Sequence, residues 1–282
     1  MSNIVTLSLR APLEMALEVD GVTADRFAGL AECEISTLPV RLGARTAQLG
    51  DFFSVRGERS ARVRVEGSVT KIGGLAAGTA GGEMVIDGDA GHRVAAGMTG
   101  GWVEVHGSVE DDAGAAMAGG GLRVTGNAGD RLGAASPGAS KGMTGGEIVV
   151  GGSAGADAAA RVRRGLLVVA GNVGDYAARA MIAGTLVVLG RTGAEPGRAS
   201  KRGTIIAVGG IDVPVTYWHA CTFQPPHVRL TLTYLRRRYG LAIDDRVAGG
   251  AYRRFCGDAG NPERGEILEW VADWASTPTF VS

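Results

Sequence analysis

The chain has 282 residues, 45% of them hydrophobic, which suffices for one substantial core or a repeat array with flanking pieces and excludes a disordered chain. Twenty-nine Lys and Arg balance twenty-nine Asp and Glu, so the overall charge draws the chain neither to nucleic acid nor to an anionic membrane. Glycine is the anomaly: 47 residues against an ordinary share of roughly 7%, with aromatics at only 5%. That composition suits a chain that turns sharp corners at fixed intervals around an aliphatic interior.

Residues 1–56 alternate in polarity (Val5, Leu7, Leu9, then Leu13, Met15, Leu17, Val19), which predicts strands forming an N-terminal capping segment. The first residues lack a basic stretch followed by an apolar one, and no run of eighteen apolar residues occurs, so a soluble, unprocessed protein is expected. Cys33, Cys221 and Cys256 are odd in number and far apart, which indicates neither a disulfide framework nor a CxxC metal site and fits a reducing cytoplasm. Only Lys71, Lys141 and Lys201 of the basic residues are lysine, the mark of a GC-rich bacterial genome.

Residues 57–211 repeat. Glycines opening an apolar run fall at Gly82, Gly101, Gly120, Gly146, Gly165, Gly184 and Gly203, nineteen residues apart except for one spacing of 26. A second glycine closes each run six residues later, at Gly88, Gly107, Gly126, Gly152, Gly171, Gly190 and Gly209, and a degenerate copy ends at Gly67. The seven extra residues lie near Gly133 to Ala139 and include Pro137, as expected of a protruding loop.

The second and fourth residues after each opening glycine are apolar, from Met84 and Ile86 to Ile205 and Ala207, so each run reads as a short strand with two residues directed inward. Small polar residues then follow (Asp89, Ser108, Asn127, Ser153, Asn172), often with another glycine, which predicts corners where glycine supplies positive φ. The period is too short for helical repeats and lacks a hexapeptide rhythm. The predicted fold is all-β, a right-handed parallel β-helix of about eight coils, a rod roughly 40 Å long that needs caps.

The third strand position points outward. It is polar at Glu104 and Arg123 but apolar at Val85, Val149, Val168, Val187 and Ile206. The last four form a continuous stripe that must be covered, either by the C-terminal segment or by a partner protein, which makes it a candidate interface. Residues 212–282 change character and read as a capping and partner-contact segment, with a short helix expected from Glu266 to Ala275.

The pattern Gly-Met-Thr-Gly-Gly at Gly97 to Gly101 and again at Gly142 to Gly146, with Gly-Asn-Ala-Gly at Gly126 to Gly129, resembles the C subunit of formylmethanofuran dehydrogenase. Its homologue in the bacterial formyltransferase/hydrolase complex and the C-terminal domain of the glutamate synthase large subunit share this repeat; the resemblance covers about residues 60 to 211. It implies a non-catalytic scaffolding subunit that binds no cofactor or metal itself. Its partners would be an amidohydrolase-like metal-dependent subunit and a formyltransferase subunit, converting formyl-tetrahydromethanopterin to formate through a methanofuran-type carrier in one-carbon oxidation. A molybdenum or tungsten formylmethanofuran dehydrogenase is the alternative complex.

The residues offer few competing chemistries. His219, Cys221 and His227 form the only His/Cys cluster, for which packing in the cap competes with a metal site and is favoured. Asp111 and Asp112 are adjacent on an extended chain and point apart, and the Gly-rich corners lack the Walker pattern. The run Arg236-Arg237-Arg238 reads as a solvated or partner-contacting face, or as a contact for a polyglutamate-bearing carrier. A stand-alone β-helix enzyme would need a cleft lined by aromatics, whereas the repeat region has only Trp102 and Tyr176.

Overall fold

A computed structural model describes residues 4–260 and 265–273. The N-terminal elements are β1 (Val5–Leu9), β2 (Leu17–Glu18), α1 (Ala24–Phe27), α2 (Glu32–Ser36), β3 (Pro39–Leu42), β4 (Arg45–Gln48), α3 (Leu49–Phe52) and β5 (Phe53–Arg56). The repeats supply β6 (Arg62–Glu66), β7 (Ile72–Gly73), β8 (Glu83–Ile86), β9 (Trp102–Val105), β10 (Gly121–Val124), β11 (Glu147–Val150), β12 (Leu166–Val169), β13 (Thr185–Val188) and β14 (Thr204–Ala207). The C-terminal part adds β15 (Trp218–Phe223), α4 (Pro226–Tyr239), α5 (Asp245–Ala248), β16 (Ala251–Gly257) and β17 (Gly265–Val271).

Thirteen strands form one sheet in the order β15-β16-β17-β14-β13-β12-β11-β10-β9-β8-β6-β1-β5. From β1 through β6 and β8 to β14 and on to β17 every neighbour is parallel, and within the repeats each residue pairs with its counterpart one period away, as Leu122 does with Val103 and Ile148. The seven-residue insertion does not disturb this register: β10 and β11 still pair residue for residue, so the extra chain is looped out. A second column of single parallel bridges joins Val69, Ala90, Val109, Ala128, Ala154, Val173 and Thr192.

The inward residues of the strands, such as Met84, Val103, Leu122, Ile148, Leu167, Leu186 and Ile205, stack in the main core. A further buried column runs Thr79, Met98, Met117, Met143, Val162, Met181 and Ser200, where flexible methionines fill the space between aliphatic rungs. The ends of the stack are covered: β1 adds Val5 and Leu7 as one more rung against Val63 and Val65, and β17 adds Ile267 beside Ile205. Phe27, Ile35, Leu49 and Phe53 of the N-terminal elements are buried in the same core. Among the described residues no helix is long and apolar enough to cross a membrane.

The corners work differently from the sequence expectation. The opening glycines from Gly82 to Gly184 do need positive φ, while Gly203 does not: Gly120 has φ 77, and a Cβ there would also lie 2.6 Å from the Met98 methyl. The closing glycines from Gly88 to Gly209 do not have positive φ; a Cβ on Gly107 would lie 2.6 Å from the carbonyl carbon of Gly88, so they are small because consecutive repeats touch there. The left-handed conformations fall instead on residues with side chains, at the equivalent positions Arg93, Asp112, Arg131, Asp157, Tyr176 and Glu195, with φ between 53 and 62°. The strain is offset by stacking bonds: the N–H of Arg93, Asp112, Arg131, Asp157 and Tyr176 each donates to a carbonyl of the next repeat at 2.8–2.9 Å.

Side chains reinforce the stack. Asp89, Asn127 and Asn172 accept the N–H of Ser108, Ser153 and Arg191 in the following repeat at 2.7–2.9 Å, and Ser108 and Ser153 accept the next N–H at 3.0 Å. The small polar residues after each run therefore bond forward to the neighbouring repeat.

The helix expected over Glu266 to Ala275 is instead strand β17 as far as Val271, and Trp274 and Ala275 lie outside the described residues. Ile267 enters the main core while Leu268 enters a second core on the opposite face. A strand apolar on both faces loses the alternation that distinguishes it from a helix.

Candidate functional site

The outward face of the strands divides in two. Toward the N-terminus it is a charged ladder: Arg62 lies 3.6 Å from Glu83, Arg64 2.6 Å from Asp87, and Arg123 3.3 Å from Glu104. Toward the C-terminus it is the apolar stripe of Val149, Val168, Val187 and Ile206, each at most 2% exposed. Between one strand and the next, from Arg123 to its partner Val149, the same face changes from water-facing to core.

The covering is α4. Its start is set by Pro226 in the first turn, whose missing N–H removes no helical bond, and its end by Gly240 in a left-handed conformation. Val228, Leu232, Leu235 and Tyr239 recur at helical spacing and are buried against the stripe, together with Ile243, Val247, Tyr252 and Leu268. Of the two covers expected for the candidate interface stripe, the C-terminal segment or a partner protein, the structure has the first: the chain's own helix lies on it, because four stacked β-branched rungs bury a helical apolar face.

A polar latch fixes the far end of α4. The Tyr234 hydroxyl donates to Glu147 at 2.8 and 3.0 Å, and the Tyr239 hydroxyl donates to the same carboxylate. Burial first, then the carboxylate, pushes both hydroxyls above the ordinary tyrosine range. Trp102 of β9 stacks on Tyr239 with centroids 6.2 Å apart and planes 13° from parallel, and Arg238 lies over the indole at 5.2 Å.

Most of the other residues singled out by sequence have structural partners. Asp111 and Asp112 do not point apart as expected of an extended chain: Asp112 is left-handed, φ 62, and both carboxylates bind Arg131, at 3.1 and 2.8 Å. Glu83 and Glu147, at the same place in their repeats, pair separately, one with Arg62 and the other with the tyrosines. His219 and Cys221 are exposed on β15, with His219 3.3 Å from Thr222 and edge-on to Phe255, while His227 is on the first turn of α4. Among the described residues no group of three His, Cys, Asp or Glu is placed to hold a metal ion. Of the arginine run, Arg236 pairs with Asp245, Arg237 is exposed, and Arg238 covers Trp102. These cations occupy the last turn, where they complement the helix dipole. Sequence reasoning missed α4 and the latch; the signal was present in Pro226, the spacing of Val228, Leu232, Leu235 and Tyr239, and Gly240.

No protein-family model matches the chain. It is similar to the C subunit of the molybdenum-containing formylmethanofuran dehydrogenase 1 of Methanosarcina barkeri, with 33% identity over 99 residues, 33% of this chain and 33% of that protein. The counterpart from Methanothermobacter marburgensis is 32% identical over 84 residues, 29% of this chain and 21% of that protein. The chain thus matches a third or less of the length of these curated relatives. Among solved structures it is similar to a chain of the formyltransferase/hydrolase complex (FhcABCD) from Methylorubrum extorquens, crystallised with methylofuran. The TM-score is 0.84 at 33% identity, covering 94% of this chain and 99% of that one. With that likeness running nearly end to end through both chains, this protein belongs to the family formed by the C subunit of formylmethanofuran dehydrogenase and its counterpart in the formyltransferase/hydrolase complex.

Proposed function

We propose that the chain is a non-catalytic scaffolding subunit of a formyltransferase/hydrolase complex, and that the complex converts formyl-tetrahydromethanopterin to formate with a methanofuran-type carrier. The near-complete match to a chain of such a complex carries this reading, since the likeness to the molybdenum enzymes covers only a third of the sequence. The carrier and any metal would be bound by amidohydrolase-like and formyltransferase subunits in the cytoplasm. The polar groups of the repeats fit a scaffold: Asp89, Asn127, Asp130 and Asn172 hold backbone N–H groups of the next repeat, and Asp111 and Asp112 hold Arg131.

For the architecture we propose a right-handed parallel β-helix over 57–211, with capping segments at 1–56 and 212–282. Two parallel columns at the same period, one of full strands and one of single bridges, support the winding. Its hand follows from the strong right-handed preference of parallel crossovers.

The test is purification of the tagged full-length chain from its host. Larger subunits and formyl-transfer activity should accompany it in constant ratio. Recovery of the chain alone, with the activity in other fractions, would remove the proposal.

A further inference from the structure

Formal charge is neutral overall but divided along the stack. The first 130 residues carry eleven Lys and Arg against seventeen Asp and Glu, and the remainder eighteen against twelve. Part of the excess lies on one edge of the repeats, just before each strand. Arg163 and Lys201 occupy the same place two repeats apart, each donating its N–H to the carbonyl of a buried methionine, Met143 or Met181, at 2.8 Å. The equivalent residues in the N-terminal half are Ala80, Thr99 and Ala118. Beside them, Arg164 stands where earlier repeats have Gly81, Gly100 and Gly119. All three cations are exposed.

Six residues before these cations in the same repeats, the surface is concave and holds an exposed aromatic ring. Asp157, Tyr176, Arg179 and Arg198 line a hollow of about 570 Å³, and a second hollow under the inserted loop shares Asp157 and Arg179 and adds Arg161. Tyr176 is 38% exposed and held in a left-handed conformation, φ 60, by its place in the stack. Exposed Tyr flanked by Arg is the composition of interface anchors, and guanidinium groups recognise carboxylates through paired hydrogen bonds. Asp157 and Glu195 stand among these cations, at positions equivalent to Tyr176, and Asp157 holds Arg179 through two hydrogen bonds at 2.7 and 2.9 Å, which leaves Arg161, Arg163, Arg164, Arg198 and Lys201 as the cations that set the sign of this surface. Such interleaved carboxylates would repel a continuous phosphate backbone, whereas a folded surface can place acidic and apolar groups to match.

We propose that this basic edge, with Tyr176 as its apolar anchor, is where the chain docks on an acidic face of a partner polypeptide. The inference rests on the scaffolding role proposed above and adds which surface is used and the chemistry it meets.

The experiment compares tagged wild-type chain with Arg163→Glu/Arg164→Glu, Lys201→Glu and Tyr176→Ala, each expressed in the host and washed with rising NaCl. Partners held by wild type should be released as salt rises from about 0.1 to 1 M, the range over which screening collapses to a few ångströms. The double reversal should retain at least about tenfold less partner at low salt, and Lys201→Glu and Tyr176→Ala should release it at lower salt than wild type, with thermal midpoints unchanged. Retention of the same partners at the same salt by well-folded variants overturns the proposal. So does nuclease-sensitive material in place of protein. A wild-type chain recovered alone overturns the scaffolding role, and the docking surface with it.

Discussion

A Cβ on Gly121 would lie 2.1 Å from Cζ3 of Trp102, so the indole fills the space above its neighbour in the next strand. Gly121 pairs with Trp102 on one side and Glu147 on the other, which places the ring on the path from β9 to the latch. Gly121→Ala should therefore push the indole off Tyr239 and cost about 1–3 kcal/mol, as overpacking does. Urea denaturation measures the loss, and the fluorescence difference against a Trp102→Phe background shows whether the ring has moved. Unchanged stability and emission would contradict this role for Gly121.

The covered stripe predicts a contrast between equivalent positions. Val168→Asp or Val187→Asp buries a carboxylate under α4 and should cost about 3 kcal/mol or more. Arg123→Ser, at the same strand position in the exposed half, should cost less than about 1 kcal/mol. Equal costs in denaturation would mean that α4 does not seal the stripe.

Alkaline pH should weaken the fold through its buried tyrosines. Burial pushes Tyr217 up to about 12 and also raises Tyr239 and Tyr252, and Tyr217 donates to the Gly197 carbonyl at 2.8 Å. A raised folded-state value means the native protein holds its proton more tightly than the unfolded chain does. That stability is whole below the unfolded tyrosine value of about 10 and is lost as pH climbs through the folded values. Melting temperature should be level up to about pH 9.5 and fall beyond 10, and Tyr217→Phe/Tyr239→Phe should be less stable at pH 8 yet decline more gently. A parallel decline in both proteins would refute the assignment.

Backbone strain predicts opposite signs for two small changes. Ala180 has φ 53 and is half-buried, so Ala180→Gly should stabilise by up to about 1 kcal/mol. Gly101→Ala places a Cβ 2.8 Å from the Gly82 carbonyl oxygen at φ 81, and should destabilise by more than about 2 kcal/mol. Calorimetric melting of the two variants decides it.

What the sequence by itself determined is the periodic part. Glycines nineteen residues apart and paired aliphatic residues between them specify where strands begin, which residues face inward and how repeats align, because a period-two strand and a repeated corner are local properties. Even the outward stripe of Val149, Val168, Val187 and Ile206 was legible as a surface needing cover. Only the tertiary structure decided what covers it. That α4 folds back onto its own strands rests on Val228, Leu232 and Leu235 meeting the stripe and on Tyr234 and Tyr239 reaching Glu147, residues about ninety positions apart whose meeting no local pattern encodes. The same holds for the closing glycines, which are small because another repeat's backbone lies against them, and for Asp112 or Tyr176, whose left-handed backbone is stable only because the neighbouring repeat accepts its N–H.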